Sequence, residues 1–220
     1  MPLADRQPHM VNLAFSHPTL FLLWFAAVAV TITAHEFAHA AAAVALGDET
    51  PRRMGRLTLN PLAHAHPLGT IMMHLVGFGW ANPVPFNPYN LRVRRWGPSL
   101  VAVAGPAANL AFVILFGILH RSLVGTLPED NLLMIFSSFL VVLSAGLLLF
   151  NLIPIPPLDG SKFLLAALAG PEHARTRMWL ETQGPYLLIV LIILDNLAGI
   201  AIFDRLLGWP LLQIIRLFGI

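Results

Sequence analysis

Residues 19–46 read TLFLLWFAAVAVTITAHEFAHAAAAVAL, and this stretch decides the fold. Its periodicity predicts one unbroken apolar helix, and about 20 apolar residues are enough to cross the hydrocarbon core of a bilayer. Its only ionisable groups are His35, Glu36 and His39, gathered into five residues. Ionisable groups inside a membrane span cost several kcal/mol, so they mark a functional site by default.

The rest of the chain agrees with a membrane setting. Hydrophobic residues make up 57% of the 220 and charged residues 11%, against roughly 25% charged in soluble domains. Mean hydropathy is +0.74. A soluble fold of this size cannot hide that much apolar surface, so the expected class is an all-α integral membrane protein. Net charge is only +2, which gives no footing for nucleic-acid binding; the basic residues are better used to read topology. There is no cysteine, which excludes disulfides, thiolate metal sites and a cysteine nucleophile. A cleavable signal peptide is the rival reading of the first apolar segment. Its flank is weak, with Arg6 balanced by Asp5, and cleavage near residues 40–43 would discard the His35–His39 motif.

Working outward, residues 1–17 read as a tail and 18–46 as the first span. Gly47-Asp48 stops it, and Arg52, Arg53 and Arg56 follow. Residues 55–90 differ: Arg56-Leu57-Thr58-Leu59-Asn60 alternates with period two, 71–80 is apolar but too short to cross, and 82–88 carries three prolines. We expect a re-entrant hairpin or loop there, tolerated where it is buried in protein or lines a wet cavity. Further spans are expected at 98–119, 132–158 and 185–203, with a short interfacial or packed helix at 209–220. About four main spans result. Lys and Arg placement orients them. Arg52, Arg53 and Arg56, then Arg92, Arg94 and Arg95, then Lys162, Arg175 and Arg177 fall in loops on one side, read as cytoplasmic, while residues 121–131 carry one Arg against Glu129 and Asp130. Arg205 and Arg216 fall on the opposite side, against the trend. This topology puts His35 and Asp159 at similar depth, nearer the cytoplasm of a multi-pass cell-membrane protein.

Two histidines four residues apart are separated by about 400° of helix and share one face. Both imidazoles can reach one metal ion, and Glu36 beside them suits proton transfer from an attacking water to a leaving amine. Three ionisable groups merely satisfying one another in a bundle core is the plainer alternative. A catalytic zinc needs a third protein ligand. Asp159, after three prolines in four residues and before Gly160, can be that ligand or a simple turn residue; spacing alone does not choose.

Three stretches taken together, His35-Glu36-Phe37-Ala38-His39, Ala104-Gly105-Pro106-Ala107-Ala108-Asn109 and Asn151-Leu152-Ile153-Pro154-Ile155-Pro156-Pro157-Leu158-Asp159-Gly160, resemble the site-2 protease family of intramembrane zinc metalloproteases. The similarity covers about residues 20–170. Gly55-Arg56-Leu57-Thr58-Leu59-Asn60-Pro61-Leu62 and Gly79-Trp80-Ala81-Asn82-Pro83-Val84-Pro85 resemble a compact prokaryotic subgroup. The resemblance implies one zinc held by His35, His39 and Asp159, with Glu36 as general base and acid. It also implies that Asn151 lies near the site and helps hold the substrate carbonyl. Asn109 is expected to line the cavity or to bond across a close helix contact at Gly105. Two departures stand out: the subgroup pattern has Asp where His66 stands and Lys where Asn82 stands, which bears on loop packing or substrate choice. No PDZ-like or other regulatory domain is expected in the chain.

The expected substrates are single-span membrane proteins or remnant peptides, cleaved where they are unwound. The alternating residues 56–60 are expected to offer them a strand edge. His64, His66 and His74 form a second cluster, read as hairpin hydrogen bonding or as a second metal or inhibitory site. Other function classes are a divalent-cation carrier, which has no need of Glu36, and a catalytically silent scaffold relative.

Overall fold

The structure is a computed structural model and describes residues 16–76, 79–197 and 201–220. The expected tail lies almost wholly outside them. Among the described residues there is no strand. Nine α-helices are described: α1 (Pro18–Ala45), α2 (Thr50–Arg53), α3 (Pro61–His64), α4 (Pro67–Val76), α5 (Gly97–Leu123), α6 (Leu132–Asn151), α7 (Ser161–Ala167), α8 (Ala174–Leu197) and α9 (Trp209–Phe218). Four helical stretches are long and apolar enough to cross a membrane: Pro18–Ala45, Gly97–Leu123, Leu132–Asn151 and Pro171–Asp195. The protein is an all-α, multi-pass membrane protein.

The core is a three-helix unit in which α5 packs along both α1 and α6. Ala43, Leu91 and Val101 close one end of it. At the other end Val113, Val141 and Ala145 meet Leu211, Ile214 and Phe218 of α9. The terminal helix is therefore packed into the bundle. The side chain of Phe218 fills the gap left by Gly117. In contrast, α8 leaves Ile189, Val190 and Ile193 exposed, as suits a helix facing lipid. Its inner side touches the turn after α6, where Ile153, Leu158 and Leu188 form a cluster.

Several boundaries differ from the sequence reading. The third span ends at Asn151, not 158, because Pro154, Pro156 and Pro157 cannot supply helical N–H donors. The fourth helix begins at Ala174 and carries Pro185 inside it. Proline is tolerated within membrane helices because neighbouring groups re-satisfy the freed backbone. Residues 56–60 do not form the expected strand edge. The chain bends at Leu57 and Thr58, the Thr58 carbonyl accepts from the His64 ring at 2.9 Å, and Arg56 donates to the Ala63 carbonyl.

Both departures from the subgroup pattern keep a local hydrogen bond. His66 Nδ1 accepts from the Gly69 N–H at 3.1 Å, capping α4 as an aspartate carboxylate would. Asn82 Nδ2 donates to the Ala65 carbonyl at 2.7 Å, a bond open to a lysine ammonium as well.

The end of α1 is fixed most firmly. Gly47 takes φ +108°, a left-handed conformation that favours glycine. Its N–H bonds the Val44 carbonyl and that of Asp48 bonds the Ala43 carbonyl, each at 3.0 Å, a Schellman closure. Asp48 is fully buried. Its carboxylate accepts from Thr50 Oγ1 at 2.6 Å, the Asn87 N–H at 2.6 Å and Asn90 Nδ2 at 2.8 Å. Residues 87–90 are thereby tied to the end of the helix that carries His35 and His39.

Burial works to raise the Asp48 pKa, but the donors from Asn90, Thr50 and Asn87 outweigh it and hold the carboxyl below the usual aspartate range. A depressed folded value stabilises fully above the unfolded value of about 3.9 and less as pH falls through the folded one. Asp48→Ala should cost about 1–3 kcal/mol at neutral pH. Thermal unfolding in detergent should show wild type losing stability below pH 4, with a smaller loss on acidification in Asp48→Asn.

Candidate metal centre

Three elements converge on one point. α1 brings His35 and His39 on successive turns of one face. The turn after α6 brings Asp159, where the Gly160 N–H donates to the Asn151 carbonyl at 2.7 Å. α5 crosses both histidines at Gly105 and Asn109. A Cβ at Gly105 would overlap His39 Nε2 and stand 2.6 Å from His35 Cε1. The absence of a side chain there is what leaves room at the ligand nitrogens.

The ligand atoms form a triangle. His35 Nε2 and His39 Nε2 are 3.0 Å apart, and Asp159 Oδ2 is 3.3 Å from each. Zinc with tetrahedral bonds of about 2.0–2.1 Å spaces its ligand atoms roughly 3.3 Å apart. Asp159 Oδ2 is buried yet makes no hydrogen bond among the described residues. Two imidazoles with one carboxylate are also a donor set that suits zinc. The residues present fit the ion. Among the described residues this is the one group of three able to hold a metal.

The far side of each ring sets its tautomer. His39 Nδ1 is 2.8 Å from the Val101 carbonyl and must donate to it, which leaves Nε2 with its lone pair towards the triangle. The Asn109 carboxamide is 3.0 Å from His35 Nδ1 through Nδ2, while its Oδ1 is buried without a partner. Turning the amide brings Oδ1 to a protonated Nδ1, satisfies that orphan and frees His35 Nε2 for a metal. Both rings are then held by oxygen acceptors on α5.

Glu36 is half-buried beside His35 and within electrostatic reach of the His39 ring. Asn109 is fully buried against His35. Asn151 donates to the Leu147 carbonyl at 3.0 Å. Asn109 thus bonds across the helix contact at Gly105, the second of its two sequence readings, and the Asn151 amide bonds within its own helix. His64 and His66 bond locally, to the Thr58 carbonyl and the Gly69 N–H, and do not join the triangle; the His74 side chain lies outside the described residues. The roles of the Val101 carbonyl and of Gly105 as a gap over the rings were not legible in the sequence, since both depend on how α5 crosses α1.

Gly105→Val should abolish zinc binding by filling the triangle's approach. Asn109→Ala should weaken it about 10–100-fold, as loss of a ligand-orienting partner does. Competition for zinc against a chromogenic chelator measures both.

No family profile matches the chain, and no solved structure gives a significant match. Curated proteins do match. "Putative zinc metalloprotease YwhC" of Bacillus subtilis is 34% identical over 200 residues, covering 86% of this chain and 88% of that protein. "Putative zinc metalloprotease Rip2" of Mycolicibacterium smegmatis is 33% identical over 183 residues, covering 81% and 69%. The Rip2 protein of Mycobacterium tuberculosis strain H37Rv is 32% identical over 182 residues, covering 80% and 67%. Similarity of this extent, along nearly the full length of the Bacillus protein, shows that the chain belongs to the site-2 protease family of zinc metalloproteases.

Proposed function

We propose that this protein is an intramembrane endopeptidase that hydrolyses peptide bonds of membrane-spanning or membrane-proximal segments. The observation that carries the reading is the convergence of His35, His39 and Asp159 beside Glu36 within an apolar bundle. When bound by these three residues, zinc supplies Lewis acidity towards a water and the scissile carbonyl. Glu36 takes a proton from the attacking water on its carboxylate and delivers it to the nitrogen of the leaving amine. The Val101 carbonyl and Asn109 hold the two imidazoles in the tautomer that leaves Nε2 unprotonated. Asn151 acts through its backbone, closing the turn that presents Asp159. Substrates are single-span proteins or remnant peptides. A cation path through the bundle has less support: the ligand atoms meet at one point, and Glu36 would have no task.

Placement in the cell membrane, with the site nearer the cytoplasm, rests on arginine distribution. Because the chain has no cysteine, a single introduced thiol reports on one site alone. Arg53→Cys should react with an impermeant maleimide only from the cytoplasmic side, and Asp130→Cys only from the opposite side. The reverse pattern rejects the orientation.

Purified wild type, Glu36→Gln and Asp159→Ala should be compared for zinc content and for cleavage of single-span substrates in detergent. Glu36→Gln is expected to keep zinc and lose at least about a hundredfold in cleavage rate. Asp159→Ala should lose both. Glu36→Gln cleaving at the wild-type rate would reject the base assignment.

A further inference from the structure

An apolar cleft lies between α1 and the segment that carries α3 and α4. Ala29, Ile32 and Thr33 form one wall. They precede Glu36 by seven, four and three residues, so wall and carboxylate share a face of α1. Leu62, Met73 and Trp80 line it from the opposite side.

His64 also lines this cleft and is fully buried. Its Nε2 is 2.9 Å from the Thr58 carbonyl and must donate to it. In the neutral ring Nδ1 is then a pure acceptor, and it has no partner among the described residues. Buried polar atoms in native proteins are nearly always paired, and an exception calls for an explanation. A donor that arrives with a ligand supplies one.

We propose that this cleft takes the unwound stretch of substrate next to the cleaved bond, and that His64 Nδ1 accepts a hydrogen bond from one of its backbone N–H groups. The proposal rests on the peptidase reading and adds to it a binding residue outside the metal centre. An intact helix keeps its N–H groups for its own carbonyls. An unwound apolar segment in the bilayer has N–H groups that water does not reach. Its side chains match the apolar walls, and its backbone offers the donor that the imidazole lacks. A lipid acyl chain matches the walls but has no donor.

The probe is a synthetic span of leucine and alanine with a central glycine pair, labelled with fluorescein and held in detergent micelles. Its affinity for zinc-loaded Glu36→Gln protein, read by anisotropy, tests binding without hydrolysis. In that background His64→Gln keeps a donor for Thr58 and carries its acceptor on the terminal carboxamide, away from the Nδ1 position. Kd is expected to rise about tenfold, with zinc content and melting temperature unchanged. An unchanged Kd overturns the proposal. Single amide-to-ester replacements stepped through the probe need no His64 variant. One central position should weaken binding about tenfold to Glu36→Gln protein and cost nothing further when His64 is also changed. Binding indifferent to every ester marks the cleft as lipid-filled and overturns the proposal. Hydrolysis by wild type is scored separately. Ester sensitivity at one position without hydrolysis supports the cleft and rejects the peptidase reading; hydrolysis without ester sensitivity does the reverse.

Discussion

Two imidazoles and a carboxylate set among apolar helices must each find partners, because an unsatisfied polar atom away from water is expensive. The contact between α1 and α5 follows from that constraint. His39 is anchored to the Val101 carbonyl at 2.8 Å and His35 to the Asn109 amide at 3.0 Å, so two bonds eight residues apart on α5 fix its position along α1. Gly105 lies between them, where any side chain would strike the rings. The helices can approach this closely only because α5 is free of bulk there, as in other membrane helix pairs with small residues at the crossing.

The spans and the His35–His39 pair were legible because their signals are local. Length, hydropathy and the cost of charge are read from consecutive residues. Asp159 was harder. As a turn residue or a ligand it stood evenly on spacing; the turn closed by Asn151 and Gly160 is what brings its carboxylate within 3.3 Å of both rings. Asn109 was visible as a polar residue in an apolar helix, but whether it faced substrate or a ligand ring depends on the register between α1 and α5. Gly105 read as a packing residue, and it is one; what it packs against could not be read from its own segment.

Residues 56–60 misled for a physical reason. Period-two alternation describes a strand only when a partner exists for its backbone. Here the Thr58 carbonyl accepts from the His64 ring, the Asn60 N–H donates to Thr58 Oγ1, and Leu59 is left exposed. Pro185 misled in the same way. A proline begins a helix well in water, but in a bilayer the cost of breaking a helix favours carrying it inside. Gly184, just before it, lets Pro156 of the preceding turn pack close.

That last contact separates the supports of the metal centre. The histidines are set by α1, which packs along both α5 and α6 and is anchored at its end by Asp48. Asp159 sits on a short turn whose apolar residues Ile153 and Leu158 pack against Leu188 and Ile192 of α8, the helix with the largest exposed share of the four spans. Packed cores do not deform smoothly, whereas a short turn follows the element it leans on. The two histidines therefore rest on the packed core and Asp159 on a turn backed by the least buried of the four spans, so displacement of α8 would reach the carboxylate before the imidazoles.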